Sequence, residues 1–269
     1  MQRIFKFKNT FNFREMGGYP TNDHRKIRYH KLLRSGNLSE LEPSELDWLD
    51  HYGLRYSVDF RSDFERHNWP DPKVPFLKLL PMPLYPDSGA TDPKLYDALP
   101  KEDQYDDLAG LYQQIVLDPH AQHVFRKFFK VLLENGQPEQ SVVFHCSAGK
   151  DRTGITAILF LLLMHVPEDY IVQDYLLTNI MYAQNNDLSA LNNSNSEKIQ
   201  KMNFTQADRS AVDAIKAAII GTYQSLKNFR TDILDISEEN YQTLRKLYTE
   251  PNQGKWSKLN EFFGIKKHH

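Results

Sequence analysis

One stretch constrains the fold more than any other. The apolar run Ser141-Val142-Val143-Phe144 leads into a ten-residue loop, His145-Cys146-Ser147-Ala148-Gly149-Lys150-Asp151-Arg152-Thr153-Gly154, and the loop leads into Ile155-Thr156-Ala157-Ile158-Leu159-Phe160. The layout reads as strand, tight glycine-bearing loop, buried helix. The second run is apolar nearly all round, as in a central helix that buries both faces.

The rest of the chain supplies elements to pack around it. Strand-like segments fall at Lys26–Arg34, Leu54–Phe60 and 76–82, with a helix over Pro43–His51 that starts at Ser44 or Pro43. Asp118-Pro119 supplies an N-cap and a first-turn proline for a helix. Val124, Phe125, Phe128, Phe129, Leu132 and Leu133 form that helix's apolar face at helical spacing, and Gly136 ends it. Another helix runs from Pro167 to about Ala183. Helices are also expected at 105–117, 205–227 and 237–249. Residues 83–104 are rich in Pro, Asp and Gly and read as a loop; 184–204 are rich in Asn and Ser and read as a polar connector or a lid. There is no internal repeat. Alternating strands and helices predict an α/β fold with a mainly parallel central sheet flanked by helices. The 145–154 loop belongs at the carboxyl ends of its strands.

A loop of this kind, closing onto a helix N-terminus, cradles a phosphate. Its amides, Ser147 to Arg152, point N–H groups at the non-bridging oxygens, and the helix dipole adds positive potential. Ala148 is one of these amide donors, Gly149 lets the backbone curl, and Lys150 adds charge. Arg152 brings a guanidinium fork matched to two oxygens at once. Cys146 sits at the base, where loop amides and Arg152 favour the thiolate needed to attack phosphorus. Thr153 is placed to donate a hydroxyl hydrogen bond to the sulfur, and His145 to orient the loop through its ring nitrogens. Together these residues point to phosphate-ester hydrolysis through a cysteinyl-phosphate intermediate, a mechanism that needs no metal or other cofactor.

The leaving oxygen needs a proton, so the site needs a general acid. Candidates are Asp151 in the loop, Asp59 at the end of the 54–58 strand, and Asp87 or Asp92 in the Pro/Gly-rich loop. Asp151 is favoured as the neighbour of the nucleophile in sequence; spacing alone does not settle the choice. Asp59 and Arg61 follow a strand and border the same crevice, with Asp59 either the acid or an organiser of loop amides. Arg14 and Arg34 are expected to meet Asp59, a substrate phosphate or a structural counter-ion. His120 and His123 stand three apart on a helix, but no carboxylate or cysteine nearby supports a metal site.

The loop resembles the Cys, five residues, Arg, Ser/Thr signature of the cysteine-dependent protein-tyrosine-phosphatase superfamily. Its Gly-Lys-Asp-Arg-Thr-Gly form is similar to one branch, the bacterial atypical tyrosine phosphatases of dual or triple specificity, some of which also act on phosphoinositides. Phe13-Arg14-Glu15-Met16-Gly17-Gly18 resembles that branch's Phe-Arg-Asp-Leu-Gly-Gly, with Glu15 in place of Asp. Leu33-Arg34-Ser35-Gly36, Asp59-Phe60-Arg61-Ser62 with Glu65, and Asp174-Tyr175-Leu176-Leu177-Thr178-Asn179 resemble further motifs of the branch. The likeness covers roughly residues 10–180, and more weakly Leu234–Ser237 and Leu244-Arg245.

The resemblance implies Cys146 as nucleophile, Arg152 as phosphate binder and Asp151 as acid. It implies a phosphotyrosyl protein or a phosphoinositide as substrate; extra lysine in the loop, as at Lys150, suits the latter. It implies no mobile Trp-Pro-Asp acid loop, and Trp69-Pro70-Asp71 stands so soon after the Asp59 strand that it reads as coincidence. Residues 1–269 then form a single phosphatase domain: a core at about 10–183, the 184–204 connector, and C-terminal helices.

Composition sets the remaining bounds. With 269 residues the chain buries a sizeable core. A net charge of −2 argues against a dedicated nucleic-acid binder while allowing a local basic pocket. A single cysteine excludes an intramolecular disulfide, a cysteine-rich metal site and a protecting partner for Cys146. That absence disfavours an arsenate reductase, as the Arg-Thr-Gly ending disfavours a sulfurtransferase; a phospho-ligand-binding pseudophosphatase is the alternative from another class. Charges interrupt the first eight residues, so they are no signal peptide. The apolar run 155–166 is too short to span a bilayer. The expected location is the cytoplasm, with signal-less secretion open.

Overall fold

A computed structural model of the chain describes residues 3–85, 108–184 and 205–252. Among the described residues five strands form the central sheet: β1 (Arg14–Glu15), β3 (Leu32–Ser35), β4 (Leu54–Asp59), β5 (Lys78–Pro81) and β6 (Ser141–His145), in the order β1-β3-β6-β4-β5. Only β1 runs antiparallel, against β3; the other pairs are parallel. β2 (Arg25–Ile27) pairs instead with β7 (Thr249–Pro251) in a separate antiparallel ribbon. The expected strand Lys26–Arg34 is therefore broken. His30 takes φ 62°, which no strand tolerates, and its flanks join different sheets.

Strand β6 is central and wholly buried. Its side chains alternate, as the pleat requires. Val142 and Phe144 enter a large core on one face, and Val143 enters a smaller one on the other. Leu32 and Leu33 of β3 divide the same way. A register shift between Leu54 and Tyr56 lets β4 send Leu54 to the small core and Val58 to the large one.

The small core is covered by α1 (Pro43–Tyr52), which has a proline in its first turn and a capping box between Glu42 and Glu45. The large core is filled by α3 (Leu108–Leu117), α4 (Pro119–Glu134), α5 (Arg152–Leu163), α6 (Glu168–Ala183), α7 (Ser210–Tyr223) and α8 (Glu238–Tyr248). Asp118 caps α4 by accepting the Ala121 N–H at 2.7 Å. In α5 every residue but Leu162 is buried. The helix expected over 205–227 begins at Ser210 and ends at Tyr223, where Gln224 takes φ 66°; a short turn and a π-helical segment, Phe229–Ile233, follow. Among the described residues no helix is long and apolar enough to cross a membrane. The expected connector or lid at 184–204 lies almost entirely outside the described residues.

The site follows from the sheet. Ser35, Asp59 and His145 are in register at the carboxyl ends of β3, β4 and β6. Three loops therefore leave from one edge and meet.

Candidate active site

The loop after β6 turns back at once, and Gly149 makes the turn possible. It takes φ +65°, and a Cβ there would lie 2.5 Å from the Ser35 carbonyl oxygen and 2.6 Å from the Gly36 nitrogen. Both are backbone atoms and cannot swing away. Gly149→Ala should therefore cost about 2–3 kcal/mol of stability through strain and overlap, measurable by urea unfolding; a loss below a few tenths would contradict this packing. The curl brings the Gly149 N–H within 3.2 Å of the Cys146 sulfur, which accepts it. Cys146 is 1% exposed and lies at the mouth of α5.

Arg152, the first residue of α5, is gripped by Glu65. Its Nη1 donates to Glu65 Oε2 at 2.7 Å and its Nη2 to Oε1 at 2.9 Å. The short helix α2 (Asp63–Asn68) delivers Glu65 by a capping box: Ser62 N–H donates to Oε2 at 2.8 Å, and Ser62 Oγ accepts the Glu65 N–H. Ser147 Oγ–H also donates to Glu65. Burial opposes ionisation of Glu65, but the charge and hydrogen bonds of Arg152, with those of Ser147 and Ser62, hold its carboxyl down at about 2. One carboxylate thus fixes both Arg152 and Ser147.

The loop's carbonyl side is held as firmly. Asn12 Nδ2 donates to Ala148 O at 3.2 Å and to Gly149 O at 2.8 Å; Arg34 Nη2 donates to Gly149 O at 2.8 Å; Tyr182 Oη donates to Ala148 O at 2.6 Å. With its carbonyls drawn outward, the loop keeps its N–H groups for an anion. Arg14 and Arg34 do not reach Asp59. Their counter-ion is Asp174 on α6, at 3.1 Å from Arg14 Nε and 2.6 Å from Arg34 Nη1. Burial, and the Arg34 charge beside it, bring the Arg14 guanidinium down to about 10, with Asp174 pulling the other way.

On the far side, Asp59 spends both carboxylate oxygens on Arg61, at 2.7–3.1 Å, and accepts the Arg61 N–H. Arg61 also donates to Asp71 at 2.6 Å, Asn37 Oδ1 at 2.6 Å and Trp69 O at 2.8 Å. His145 Nε2 lies 2.9 Å from the other Asp71 oxygen, and its Nδ1 faces the Cys146 carbonyl at 3.4 Å. The Asp71 carboxyl is held below the usual carboxylate range: burial opposes this, and His145 and Arg61 outweigh it. Asp71 belongs to Trp69-Pro70-Asp71, read in the sequence as coincidence. It is a buried strut behind His145, bonded to that ring, to Arg61 and to Ser57. Ligand atoms of Asp59, Asp71 and His145 lie within 4.8 Å of one another, but the Arg61 guanidinium already supplies both carboxylates with a cation.

Asp151 is 3% exposed. Its Oδ1 accepts the Tyr112 hydroxyl at 2.6 Å and faces Lys150 Nζ at 3.6 Å; its Oδ2 is buried without a hydrogen-bond partner. Lys150 Nζ also donates to the Thr205 carbonyl, and burial pushes its ammonium pKa down. The bond expected from Thr153 to the sulfur is not made: Thr153 Oγ1 is buried without a partner. Tyr85 covers the loop, its ring centroid 5.4 Å from the Arg152 guanidinium carbon and its buried hydroxyl unpartnered. The other acid candidates, Asp87 and Asp92, lie outside the described residues. Tyr112 and Tyr182 were not singled out in the sequence, where they carry no signal beyond that of core aromatics, and Tyr175 appeared only within the 174–179 motif. Glu65 appeared only as a motif letter.

The tyrosine phosphatase family matches residues 5–250. A chain of Cupriavidus necator named among the tyrosine-protein phosphatases is 29% identical over 242 residues, 86% of this chain and 84% of its own length. The triple specificity protein phosphatase PtpB of Mycobacterium tuberculosis is 28% identical over 198 residues, 65% of this chain and 69% of its own. A tyrosine-protein phosphatase of Nostoc commune is 30% identical over 157 residues, 55% and 48% respectively. The chain belongs to the tyrosine phosphatase family and is a hydrolase of phosphorylated substrates.

Proposed function

We propose that this tyrosine phosphatase, a single domain acting in the cytoplasm, works through a cysteinyl-phosphate intermediate, with Cys146 as nucleophile, Arg152 as phosphate binder and Asp151 as general acid. The observation that carries the reading is the Cys146 sulfur accepting the Gly149 N–H at the mouth of α5, with Arg152 held alongside by Glu65.

In the first step Cys146 sulfur bonds to phosphorus, the ester P–O bond breaks, and Asp151 gives its proton to the leaving oxygen. The loop amides and the Arg152 N–H groups left over by Glu65 stabilise the charge on the transferring phosphoryl group. In the second step Asp151 takes a proton from water, water oxygen bonds to phosphorus, and the S–P bond breaks. Asp59, fully engaged by Arg61, acts as an organiser of the β4 loop in this scheme.

Phosphotyrosine is the primary substrate. The mycobacterial relative's name adds breadth, and Lys150 supports phosphoserine, phosphothreonine and phosphoinositides as further substrates. For a polyphosphorylated headgroup Lys150 must exchange the Thr205 carbonyl for a second phosphate. A panel of phosphotyrosine, phosphoserine and phosphothreonine peptides and mono- and polyphosphorylated phosphoinositides tests the range. With aryl phosphates, Asp151→Asn should slow poor leaving groups about a hundredfold and good ones only slightly. Equal slowing of both, with the leaving-group dependence moving to Asp59→Asn, would sink the Asp151 assignment.

A further inference from the structure

We propose that Tyr112 and Tyr175 form a two-phenol relay that reserves Oδ1 of Asp151 and leaves Oδ2 as the oxygen that carries the transferable proton. The inference rests on the reading of Asp151 as the general acid and assigns positioning residues to it.

The hydrogen-bond inventory leads there. Tyr112 Oη–H donates to Asp151 Oδ1 at 2.6 Å, so the phenol has no proton left for Tyr175. The 2.7 Å contact between the two phenols is then Tyr175 donating to Tyr112. The chain runs one way, from Tyr175 on α6 through Tyr112 on α3 to the carboxylate. Both tyrosines are fully buried, with rings packed edge to face, centroids 6.0 Å apart. Each bond in such a chain polarises the next.

The result is an asymmetric carboxyl group. Oδ1 has a strong donor, with Lys150 Nζ at 3.6 Å; Oδ2 is buried with no partner. An unsatisfied buried oxygen is costly unless it has a use. Here the use is to hold a proton and aim it at the substrate. A carboxylic acid whose Oδ1 is already an acceptor carries its hydrogen on Oδ2, and the anion left after transfer keeps the Tyr112 bond.

Other charged or titratable groups act on Asp151, namely Lys150 within the loop, Tyr182 from α6 and Tyr85 from the segment after β5, while Arg34 and Asp208 act on Tyr175. None of the tyrosines among these but Tyr112 bonds the carboxylate directly: Tyr182 donates to Ala148 O and the Tyr85 hydroxyl has no partner. The alkaline limb of activity, where the acid has lost its proton, should thus be sensitive to Tyr112 in particular.

The test is kcat/KM against pH, with aryl phosphates of good and poor leaving groups, for wild type, Asp151→Asn, Tyr112→Phe and Tyr175→Phe. Each phenylalanine keeps the ring and removes one hydroxyl. Tyr112→Phe removes a hydrogen bond to the charged form, so its alkaline limb should move to higher pH by about one unit. Tyr175→Phe should move it the same way by less. Turnover of poor leaving groups should fall about tenfold in Tyr112→Phe, because the carboxyl group loses its anchor. An unmoved limb in both variants, with activity lowered evenly at every pH, would reduce the pair to core packing and overturn the relay. If Tyr112→Phe does not fold, the limb of Tyr175→Phe decides alone. If Asp151→Asn keeps both the limb and the wild-type leaving-group dependence, the acid assignment falls and the relay with it.

Discussion

Cys146→Ser will stop phosphate release, lowering kcat/KM by about five orders of magnitude or more, while the protein still binds phosphotyrosine peptides. Removing the nucleophile of a covalent mechanism costs on that order elsewhere. The reason is local. The sulfur accepts the Gly149 N–H at 3.2 Å at the N-terminus of α5, which begins with Arg152. A serine hydroxyl in the same place would have to ionise from a far weaker acid, and His145, the neighbouring base in sequence, faces Asp71 and a backbone carbonyl. No other cysteine exists to take over. The cradle itself does not depend on the sulfur: Glu65 holds Arg152, and Asn12, Arg34 and Tyr182 hold the loop carbonyls. Phosphate-ester affinity should therefore survive. The checks are steady-state phosphate release and calorimetric titration with a phosphotyrosine peptide. Residual turnover above about one per cent would rule out the covalent route through Cys146.

This loop was legible because every part of its function is local in sequence. A buried strand, a glycine at φ +65° with no room for a Cβ, a thiol, a guanidinium and a buried helix occur within about twenty residues. The parallel sheet was legible for a similar reason, since β4, β6 and the helices after them alternate along the chain.

What the sequence did not show is what holds the loop. Arg152 meets Glu65 across 87 positions, and Arg34 meets Asp174 across 140. Such pairs depend on strand order, which no local pattern encodes. Arg14 and Arg34 were therefore left with three possible partners, and Asp59 with two roles. Asp71 was set aside because Trp69-Pro70-Asp71 follows so soon after the Asp59 strand; in the fold its carboxylate bonds Arg61 and His145. Thr153 shows the opposite case: the hydroxyl expected to bond the sulfur is buried without a partner in the structure. Glu15 departs from the motif by one methylene, yet its carboxylate still accepts the Gly17 and His30 amides at 2.9 and 3.1 Å, so the longer side chain keeps an anchoring role.

Asp174→Asn should cost about 3–5 kcal/mol of stability, the usual penalty for leaving a buried charge without its partner. Asp174 is the shared counter-ion of two arginines with wholly buried side chains, Arg14 and Arg34, and it also accepts the Tyr19 hydroxyl at 3.0 Å. Asparagine is nearly the same size but brings no charge, so two guanidiniums would remain in the core uncompensated. Burial alone would raise the Asp174 carboxyl; Arg14 and Arg34 overcome it and hold the group far below the usual carboxylate range. A carboxyl depressed in the folded state stabilises it fully above the unfolded value, about 3.9, and that contribution is lost as pH falls below it. The gap in urea midpoint between wild type and Asp174→Asn should therefore be flat from pH 8 to pH 5 and narrow only below about pH 4. Activity should fall alongside stability. Arg34 uses its other nitrogen to hold the Gly149 carbonyl at 2.8 Å, and Arg14 holds Asn12, which bonds the same carbonyl. A loosened Arg34 lets that carbonyl turn, and the Gly149 N–H turns with it, away from the sulfur. A variant as stable as wild type would mean that the two arginines find other counter-charges, and the catalytic loop would then owe its shape to Gly149 and Glu65 rather than to the charge on α6.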